Sequence, residues 1–119
     1  YQNIMEPKSI LCFEDSNTWG MAPDGSGRLP FATRWPNRLQ QILNQPNSNY
    51  QSWIVFEQGL NSRTWVMDDP LGAVNYGGDY SCNGRQDLLV ILHSCKPLNV
   101  VILALRCKDC KSHLHLSPE

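Results

Sequence analysis

The serine at position 16 has the surroundings of a catalytic nucleophile. It follows a short apolar run, residues 10–13, and lies inside a small polar turn, residues 15–18. Acyl transfer needs a serine held at the tip of a buried strand, because the hydroxyl must be exposed while its backbone stays fixed. Glu14 is the unusual neighbour, since a glycine would suit this position better than a bulky charged residue.

A second group of residues near the end of the chain has the types of metal ligands, in the pattern C-x₂-C-x₂-H-x-H. Its members are Cys107, Cys110, His113 and His115. Two histidines two residues apart rarely reach one tetrahedral zinc together, and structural zinc sites more often use two separated knuckles. A C-x-x-C pair after a strand is also the context of a redox pair. Incidental reactive thiols are the favoured interpretation, and a zinc or thiol site is the alternative.

Composition limits the class of protein. A chain of 119 residues with 41% hydrophobic and 18% charged residues suits one globular domain, with residues 1–7 as an irregular leader. The net charge of −1 argues against nucleic acid and anionic membranes as partners, and no apolar run is long enough to span a bilayer. Five cysteines, an odd number, favour reduced thiols and a cytoplasmic location.

The apolar patterns alternate between strand and helix. Strands are predicted at residues 8–13, 52–57 and 99–105, and helices begin near residue 35 and residue 85. Thr33 is the expected cap of the first helix, with Pro36 in its first turn. The long polar stretch 59–78 reads as a functional loop with one helical turn. The order predicts an α/β fold whose parallel sheet has the first strand between the other two.

Ligands of such sheets bind beyond the carboxyl ends of the strands. Three segments leave those ends: residues 14–18, 58–64 and 106–109. We therefore expect them to converge on one site.

Three stretches in these segments carry a family likeness. "ILCFEDSNTWG", "FEQGLNSRTWVMDDP" and "KPLNVVILALRCKDCKSHL" resemble, in order and spacing, three conserved blocks of the SGNH (or GDSL) hydrolases. The chain is most similar to the N-terminal portion of the branch that contains bacterial arylesterases and acyltransferases. The resemblance implies a flavodoxin-like three-layer αβα fold, here an incomplete version with about three strands. It also implies hydrolysis of small carboxylic esters through an acyl-serine, without a cofactor.

The resemblance also implies roles for single residues. Ser16 is the implied nucleophile, and its backbone N–H, with that of Gly59, is implied to bind the oxyanion. Lys108 stands where the family has an asparagine side chain as third donor, Arg106 stands at a family glycine, and Glu14 replaces the glycine of the first block. A glutamate beside an anionic intermediate opposes its formation. We expect Glu14 and Lys108 to pair and to block the site.

Further residues are expected to support this site. Four are expected to order its loops: Asp15, Asn61, Arg63 and Asp109. Three aromatic residues could line an acyl pocket, although packing is the more common role of such residues: Trp19, Trp65 and Tyr76.

The catalytic base is not identified by its motif. The family's Asp-x-x-His block has no counterpart in these 119 residues, and none of the three histidines, His93, His113 and His115, lies in a matching motif. A serine without a base is a poor nucleophile at neutral pH. The sequence therefore predicts a serine esterase that is impaired as written.

The last predicted strand raises the question of a partner. "NVVILAL" is continuous and β-branched, as in strands buried on both faces, yet it would form an exposed apolar edge in a three-stranded sheet. We expect a second copy or a partner chain to cover it. An inactive interaction module that uses this edge is therefore the alternative to an esterase acting on small esters, and a small zinc or thiol protein is a weaker one.

Overall fold

The computed structural model describes residues 6–46, 51–105, 108–111 and 114. Its centre is a parallel sheet of three strands in the order β2-β1-β3, with β1 at Lys8–Glu14, β2 at Trp53–Gly59 and β3 at Val100–Ala104. The predicted position of β1 between the other two strands is confirmed. Glu14 lies opposite Gly59 on one side and Ala104 on the other, so the carboxyl ends of all three strands are level.

The described helices connect these strands. They are α1 (Ser16–Trp19), α2 (Trp35–Leu43), α3 (Pro70–Val74) and α4 (Gly84–Cys95), with 3₁₀ turns at Phe31–Thr33 and Lys108–Cys110. The predicted helices near residues 35 and 85 are confirmed, and α3 is the helical turn expected in the long loop. Among these residues, no helix has the length and apolar character that crossing a membrane requires.

The predicted cap of α2 is wrong by one residue. Arg34, not Thr33, is the N-cap, and its side chain makes no capping hydrogen bond. Thr33 instead ends the 3₁₀ turn, where its hydroxyl donates to the carbonyl of Pro30 at 2.9 Å. Because Thr33 belongs to this 3₁₀ turn, it cannot also cap α2, and Arg34 takes the N-cap position. Pro36 lies in the first turn, as predicted.

The central strand is buried on both faces, which makes the structure three-layered. Ile10 and Cys12 pack against the α2 side, while Leu11 and Phe13 pack against α4. Side chains alternate along a strand, so this arrangement follows from an apolar run that has helices on both sides. The incomplete α/β fold expected from the resemblance is confirmed.

The third strand is not buried on both faces. Val100, Val101 and Leu103 are each about 40% exposed, at 41%, 40% and 43%. Ile102, between them, packs against the α2-side core. β3 is therefore the exposed apolar edge that was expected of a three-stranded sheet, and within the described residues no further strand pairs with it.

Candidate active site

Ser16 is the first residue of α1, directly beyond the carboxyl end of the central strand. Asp15 caps the helix: its Oδ1 accepts from the N–H of Asn17 at 3.0 Å, and its carbonyl accepts from the N–H of Trp19 at 3.0 Å. Ser16 is half-buried. Neither its Oγ nor its backbone N–H makes a hydrogen bond within the part of the chain that the structure describes. The local fold therefore fixes the backbone of Ser16, while its Oγ and its N–H are unbonded and can contact a ligand.

Glu14 lies under this turn, in the interior. Its position on β1 has the same parity as Ile10 and Cys12, so its side chain points to the α2 side and is only 5% exposed. Its carboxylate accepts from the hydroxyl of Thr18, and that hydroxyl accepts from Nε1 of Trp35 at 3.0 Å. Burial raises the pKa of Glu14, and the bond from Thr18 acts in the opposite direction.

The predicted pair of Glu14 and Lys108 lies outside the described residues, because the side chain of Lys108 is not among them. The carboxylate of Glu14 is directed into the α2 layer by its bond from Thr18. It lines neither of the two cavities described below. The pairing stays a prediction, while the structure places Glu14 beneath the turn rather than in an open cavity.

Gly59 ends β2 in contact with the backbone of α1. A β-carbon built there would lie 2.1 Å from the backbone nitrogen of Trp19 and 2.6 Å from the carbonyl carbon of Thr18. The N–H of Leu60 donates to the carbonyl of Glu14 at 3.2 Å, and in a parallel ladder this turns the N–H of Gly59 away from β1. Close packing is therefore one sufficient reason for a glycine, and its role as oxyanion donor stays a prediction.

Arg63 connects the carboxyl ends of β1 and β2 through hydrogen bonds. Its Nη1 donates to the carbonyl of Glu14 at 3.2 Å and to the carbonyl of Gln58 at 2.5 Å. The guanidinium stacks 3.8 Å from the centre of the Phe13 ring, and the residue is 3% exposed. Burial lowers the pKa of Arg63. Its contacts are those of a residue that orders the site's loops.

Asp109 connects the segment after β3 to the loop after β2. Its carboxylate accepts from three successive backbone N–H groups, those of Trp65 at 2.5 Å, Val66 at 2.9 Å and Met67 at 2.9 Å. Lys111, two residues on, bonds the carboxylate of Asp69 at 2.5 Å. The three segments expected to converge are therefore close together where they are described, although Arg106 is outside the described residues.

Ser62 is a feature that the sequence analysis did not single out. It has a φ of 66°, which is unusual for a residue other than glycine. Its N–H makes no hydrogen bond within the described residues, while its carbonyl accepts from Nζ of Lys111 at 3.2 Å. Strained backbone with an unused N–H is often found in functional turns. The only sequence signal was its place in the turn stretch "GLNSRT".

Two cavities flank these elements. The first, which we name the α1 cavity, measures about 550 Å³, and its wall includes Trp19, Met21, Pro23, Asn61, Asn75 and Tyr76. The second measures about 300 Å³ and is mainly apolar, with Phe13, Trp65, Leu88 and Leu105 in its wall. Two of the three expected aromatic residues therefore share the α1 cavity, and Trp65 lies in the other.

The one histidine in the described part of the chain is not near the nucleophile. His93 lies in the last turn of α4. That helix begins beside the carboxyl end of β2, where Gly84 donates to the carbonyl of Thr64 at 3.0 Å, and the chain then returns to the amino end of β1, where Asn99 donates to Ser9 at 3.0 Å. His93 is therefore at the opposite end of the sheet from Ser16.

Three of the four expected metal ligands, Cys107, His113 and His115, lie outside the described residues. Among the described residues, no group of three or more histidine, cysteine or acidic side chains could hold a metal ion. The described cysteines are free thiols: Cys12, Cys82, Cys95 and Cys110.

Comparison with known proteins shows which solved structures are similar to this chain in sequence and fold. No protein-family model and no curated protein matches the chain. A solved carbohydrate acetylesterase family member from Sinorhizobium meliloti is 36% identical over 91% of this chain and 45% of its own, with a TM-score of 0.75. The M. smegmatis aryl esterase is 35% identical over 93% of this chain and 47% of its own, with a TM-score of 0.73. An SGNH-hydrolase family esterase, at 20% identity and a TM-score of 0.60, shares the fold.

The fold and these likenesses define an α/β protein that is similar to solved esterases. The chain spans about half the length of the solved structures that it matches. Its fold and its partial coverage of these proteins fit an N-terminal fragment of an SGNH hydrolase. The resemblance expected from the three sequence blocks is therefore confirmed.

Proposed function

We propose that this chain carries the nucleophile of a serine esterase that acts on small carboxylic esters. The observation that carries the proposal is the position of Ser16: it is half-buried, its Oγ is unbonded among the described residues, and Asp15 holds its backbone beyond the central strand. Esterases that are 35% and 36% identical to this chain support the same reaction. We further propose that residues 1–119 form one domain and that the protein is cytoplasmic; the four free thiols in the described part support this location.

In the proposed reaction, Ser16 Oγ attacks the carbonyl carbon of the ester and transfers its proton to a base. The carbonyl oxygen becomes an oxyanion, which backbone N–H groups stabilise. Ser16 N–H is one proposed donor, and the turn that starts at Gly59 and includes Ser62 supplies the second. The alcohol then leaves with a proton, and water hydrolyses the acyl-serine. Lys108 occupies the position of the third donor, where an ammonium is less preorganised than an amide.

In the proposed reaction, transfer of the Ser16 proton to a base is the step that limits activity. His93 is at the other end of the sheet, and His113 and His115 lie outside the described residues. Oxyanion donors without a full triad still accelerate acyl transfer, although several orders of magnitude less than the complete site. We therefore expect slow turnover that depends on Ser16.

Imidazole added to the solution tests this proposal, because it can replace a missing base. Hydrolysis of p-nitrophenyl acetate would be measured for the chain and for Ser16→Ala at the same imidazole concentration, which subtracts the reaction of imidazole itself. A rate above that of Ser16→Ala, together with a fluorophosphonate adduct located on Ser16 by mass spectrometry, is the expected result. Equal rates and labelling at other serines, such as the exposed Ser26, would contradict it.

The edge strand supports a second candidate, an interaction module. Val100, Val101 and Leu103 leave an apolar, unpaired edge on β3 within the described residues. Such an edge is a template for pairing with another chain, so we propose that a second copy or a partner covers it. Sedimentation of the chain and of Val101→Lys separates the cases: a complex that the lysine dissociates supports pairing through β3, and a monomer in both contradicts self-pairing.

A further inference from the structure

Ser62 has a backbone conformation that depends on its surroundings. Its φ of 66° lies in the left-handed region, and every other residue with a positive φ in the described part of the chain is a glycine. Such a conformation is unfavourable for a serine and persists where the neighbouring contacts determine it. Ser62 is half-buried, and its N–H makes no hydrogen bond within the described residues. The contacts that hold the two peptide groups flanking Ser62 therefore decide where this N–H points.

Tyr80 holds the peptide group before Ser62. Its hydroxyl donates to the carbonyl of Asn61 at 3.2 Å, and the thiol of Cys82 donates to the same oxygen at 3.9 Å. In a planar trans peptide the C=O and the N–H point in opposite directions, so these two contacts direct the Ser62 N–H away from Tyr80. The segment is itself held, because the carbonyl of Cys82 accepts from the N–H of Thr64 at 2.8 Å. Burial raises the pKa of Tyr80 above its ordinary value of 10.0, so at neutral pH the hydroxyl keeps the proton that it donates.

Lys111 holds the peptide group after Ser62. Its Nζ donates to the carbonyl of Ser62 at 3.2 Å and to the carboxylate of Asp69 at 2.5 Å. Asp69 is buried and fixed in turn, since its Oδ1 accepts from the N–H of Gly72 in α3 at 3.1 Å. The same helix contacts the side chain of Ser62, because a β-carbon on Gly72 would lie 2.8 Å from the Ser62 Cβ. Both peptide groups and the side chain of Ser62 are therefore held from outside its turn.

We propose that Tyr80 and Lys111 are positioning residues, which hold the two peptide groups beside Ser62 so that its N–H is directed at the oxyanion. The inference rests on the proposed esterase function. Neither residue is in the wall of the α1 cavity, so their effect on the reaction is transmitted through Ser62. An oxyanion donor is effective when it is oriented before the charge develops, because it then needs no reorganisation during the reaction. A serine released from these contacts relaxes to a negative φ, which turns its N–H to another direction.

Anchoring of the loop is the alternative role of these contacts. An anchor changes the stability of the chain, whereas a positioning residue also changes the rate at which the folded chain reacts. Thr33→Val is the matched control for Tyr80→Phe, because the hydroxyl of Thr33 also donates to a backbone carbonyl, that of Pro30, at an exposed position away from the site. An anchoring role predicts equal reaction rates for these two variants when both are folded, whatever their midpoints of unfolding in urea.

The rate of fluorophosphonate addition to Ser16 measures the oxyanion donors without a full catalytic cycle. Ser16 Oγ forms a bond to phosphorus, its proton goes to imidazole supplied in the solution, fluoride leaves, and the phosphoryl oxygen takes the place of the oxyanion. We expect the second-order rate constant of Tyr80→Phe to be about tenfold below that of the parent, a smaller loss than the roughly 10²–10³ for removing a whole donor. Lys111→Gln should be slowed to a similar extent, and Thr33→Val should stay within about twofold of the parent.

The amide proton of Ser62 reports the inference directly. In ¹⁵N-serine-enriched chain its NMR signal is assigned from Ser62→Ala, which lacks it. We expect the signal to move downfield when the parent forms the Ser16 adduct, because a hydrogen bond to the phosphoryl oxygen forms, and to move less in Tyr80→Phe. Where Tyr80→Phe fails to fold, Lys111→Gln makes the same comparison.

The outcomes separate this inference from the esterase function on which it rests. An unchanged Ser62 signal in a parent that carries the Ser16 adduct overturns the inference alone. Equal rates of adduct formation in Tyr80→Phe and Thr33→Val also overturn it alone. A parent that forms no adduct at Ser16 refutes the esterase function and the inference with it.

Discussion

Gly59 and Trp19 are in direct backbone contact, since a β-carbon on Gly59 would lie 2.1 Å from the Trp19 nitrogen. Through this contact the end of β2 supports the short helix that carries Ser16. Real β-carbons essentially never approach so closely, and the obstructing atoms are backbone that cannot rotate away. The requirement for glycine at position 59 is therefore set by the packing of two chain segments.

Gly59→Ala should for this reason displace α1 and destabilise the fold. Overpacking of a buried contact costs about 1–3 kcal/mol, measured as the free energy of unfolding in urea. Fluorophosphonate labelling of Ser16 should fall in parallel, because the turn that presents its hydroxyl is displaced.

Gly78→Ala is the matched control for this prediction. A β-carbon there would clash with the ring of Tyr80, at 2.5 Å, which is a side chain that can move, while the nearest backbone atom, the carbonyl oxygen of Ala73, is at an ordinary contact distance of 3.6 Å. We expect a smaller loss of stability, below about 1 kcal/mol. Equal losses in the two variants would show that the contact with α1 is not what requires a glycine.

Arg63→Met should destabilise the chain by about 3 kcal/mol, the range for charged hydrogen bonds and buried ion pairs that lose one partner. The reason is that the carbonyls of Glu14 and Gln58 lose a buried donor and Phe13 loses a stacked cation. Urea unfolding measures the change. Arg38→Met, on an exposed helical surface, is the control, and its free energy of unfolding should stay within about 0.5 kcal/mol of the parent. A loss of stability in Arg38→Met as large as in Arg63→Met would contradict the stabilising contacts of Arg63 with β1 and β2.

The strand order was predictable because it follows from short-range patterns. Residues 10–13 and 99–105 are apolar runs bounded by turn residues, and helical stretches between them leave few parallel arrangements. The exposure of β3 was predictable from the strand order, although not from its apolar run alone. A continuous apolar run is typical of a strand with neighbours on all sides, whereas within the described residues no further strand pairs with β3.

The candidate site was predictable in its positions but not in its geometry. Residue types placed Ser16 beyond the central strand and three segments at one edge. The interior position of Glu14 depends on strand parity together with a hydroxyl donor, Thr18, in the following helix. The positive φ of Ser62 and the unpaired Oδ1 of Asn61 are outcomes of tertiary packing, for which single residue types give no signal.

Glu14→Gln should make stability less dependent on pH. Burial raises the pKa of Glu14 in the folded state above its ordinary value of 4.5. Between these two pKa values the folded chain binds more protons than the unfolded chain, so stability falls as pH rises through that window and the penalty is complete above it. Glutamine keeps an acceptor for Thr18 without a charge.

The measurement is the free energy of unfolding at a series of pH values. Glu14→Gln should be more stable than the parent at pH 8, and the difference should shrink as the pH falls towards about 4.5. Glu6→Gln, at an exposed position, is the control and should follow the parent at every pH. A difference between Glu14→Gln and the parent that is constant with pH would contradict an unfavourable buried carboxylate at this position.

Cys12 should be the least reactive of the described cysteines in the folded chain. Burial, with smaller contributions from Glu14 and Glu57, raises the pKa of its thiol to about 12. At pH 8 about one thiol in 10⁴ is then the reactive thiolate, and the residue is fully buried. Alkylation with iodoacetamide followed by peptide mass analysis should modify the partly exposed Cys110 first and Cys12 only in urea. Equal rates for the two without urea would mean that the β1 core opens on the timescale of the reaction.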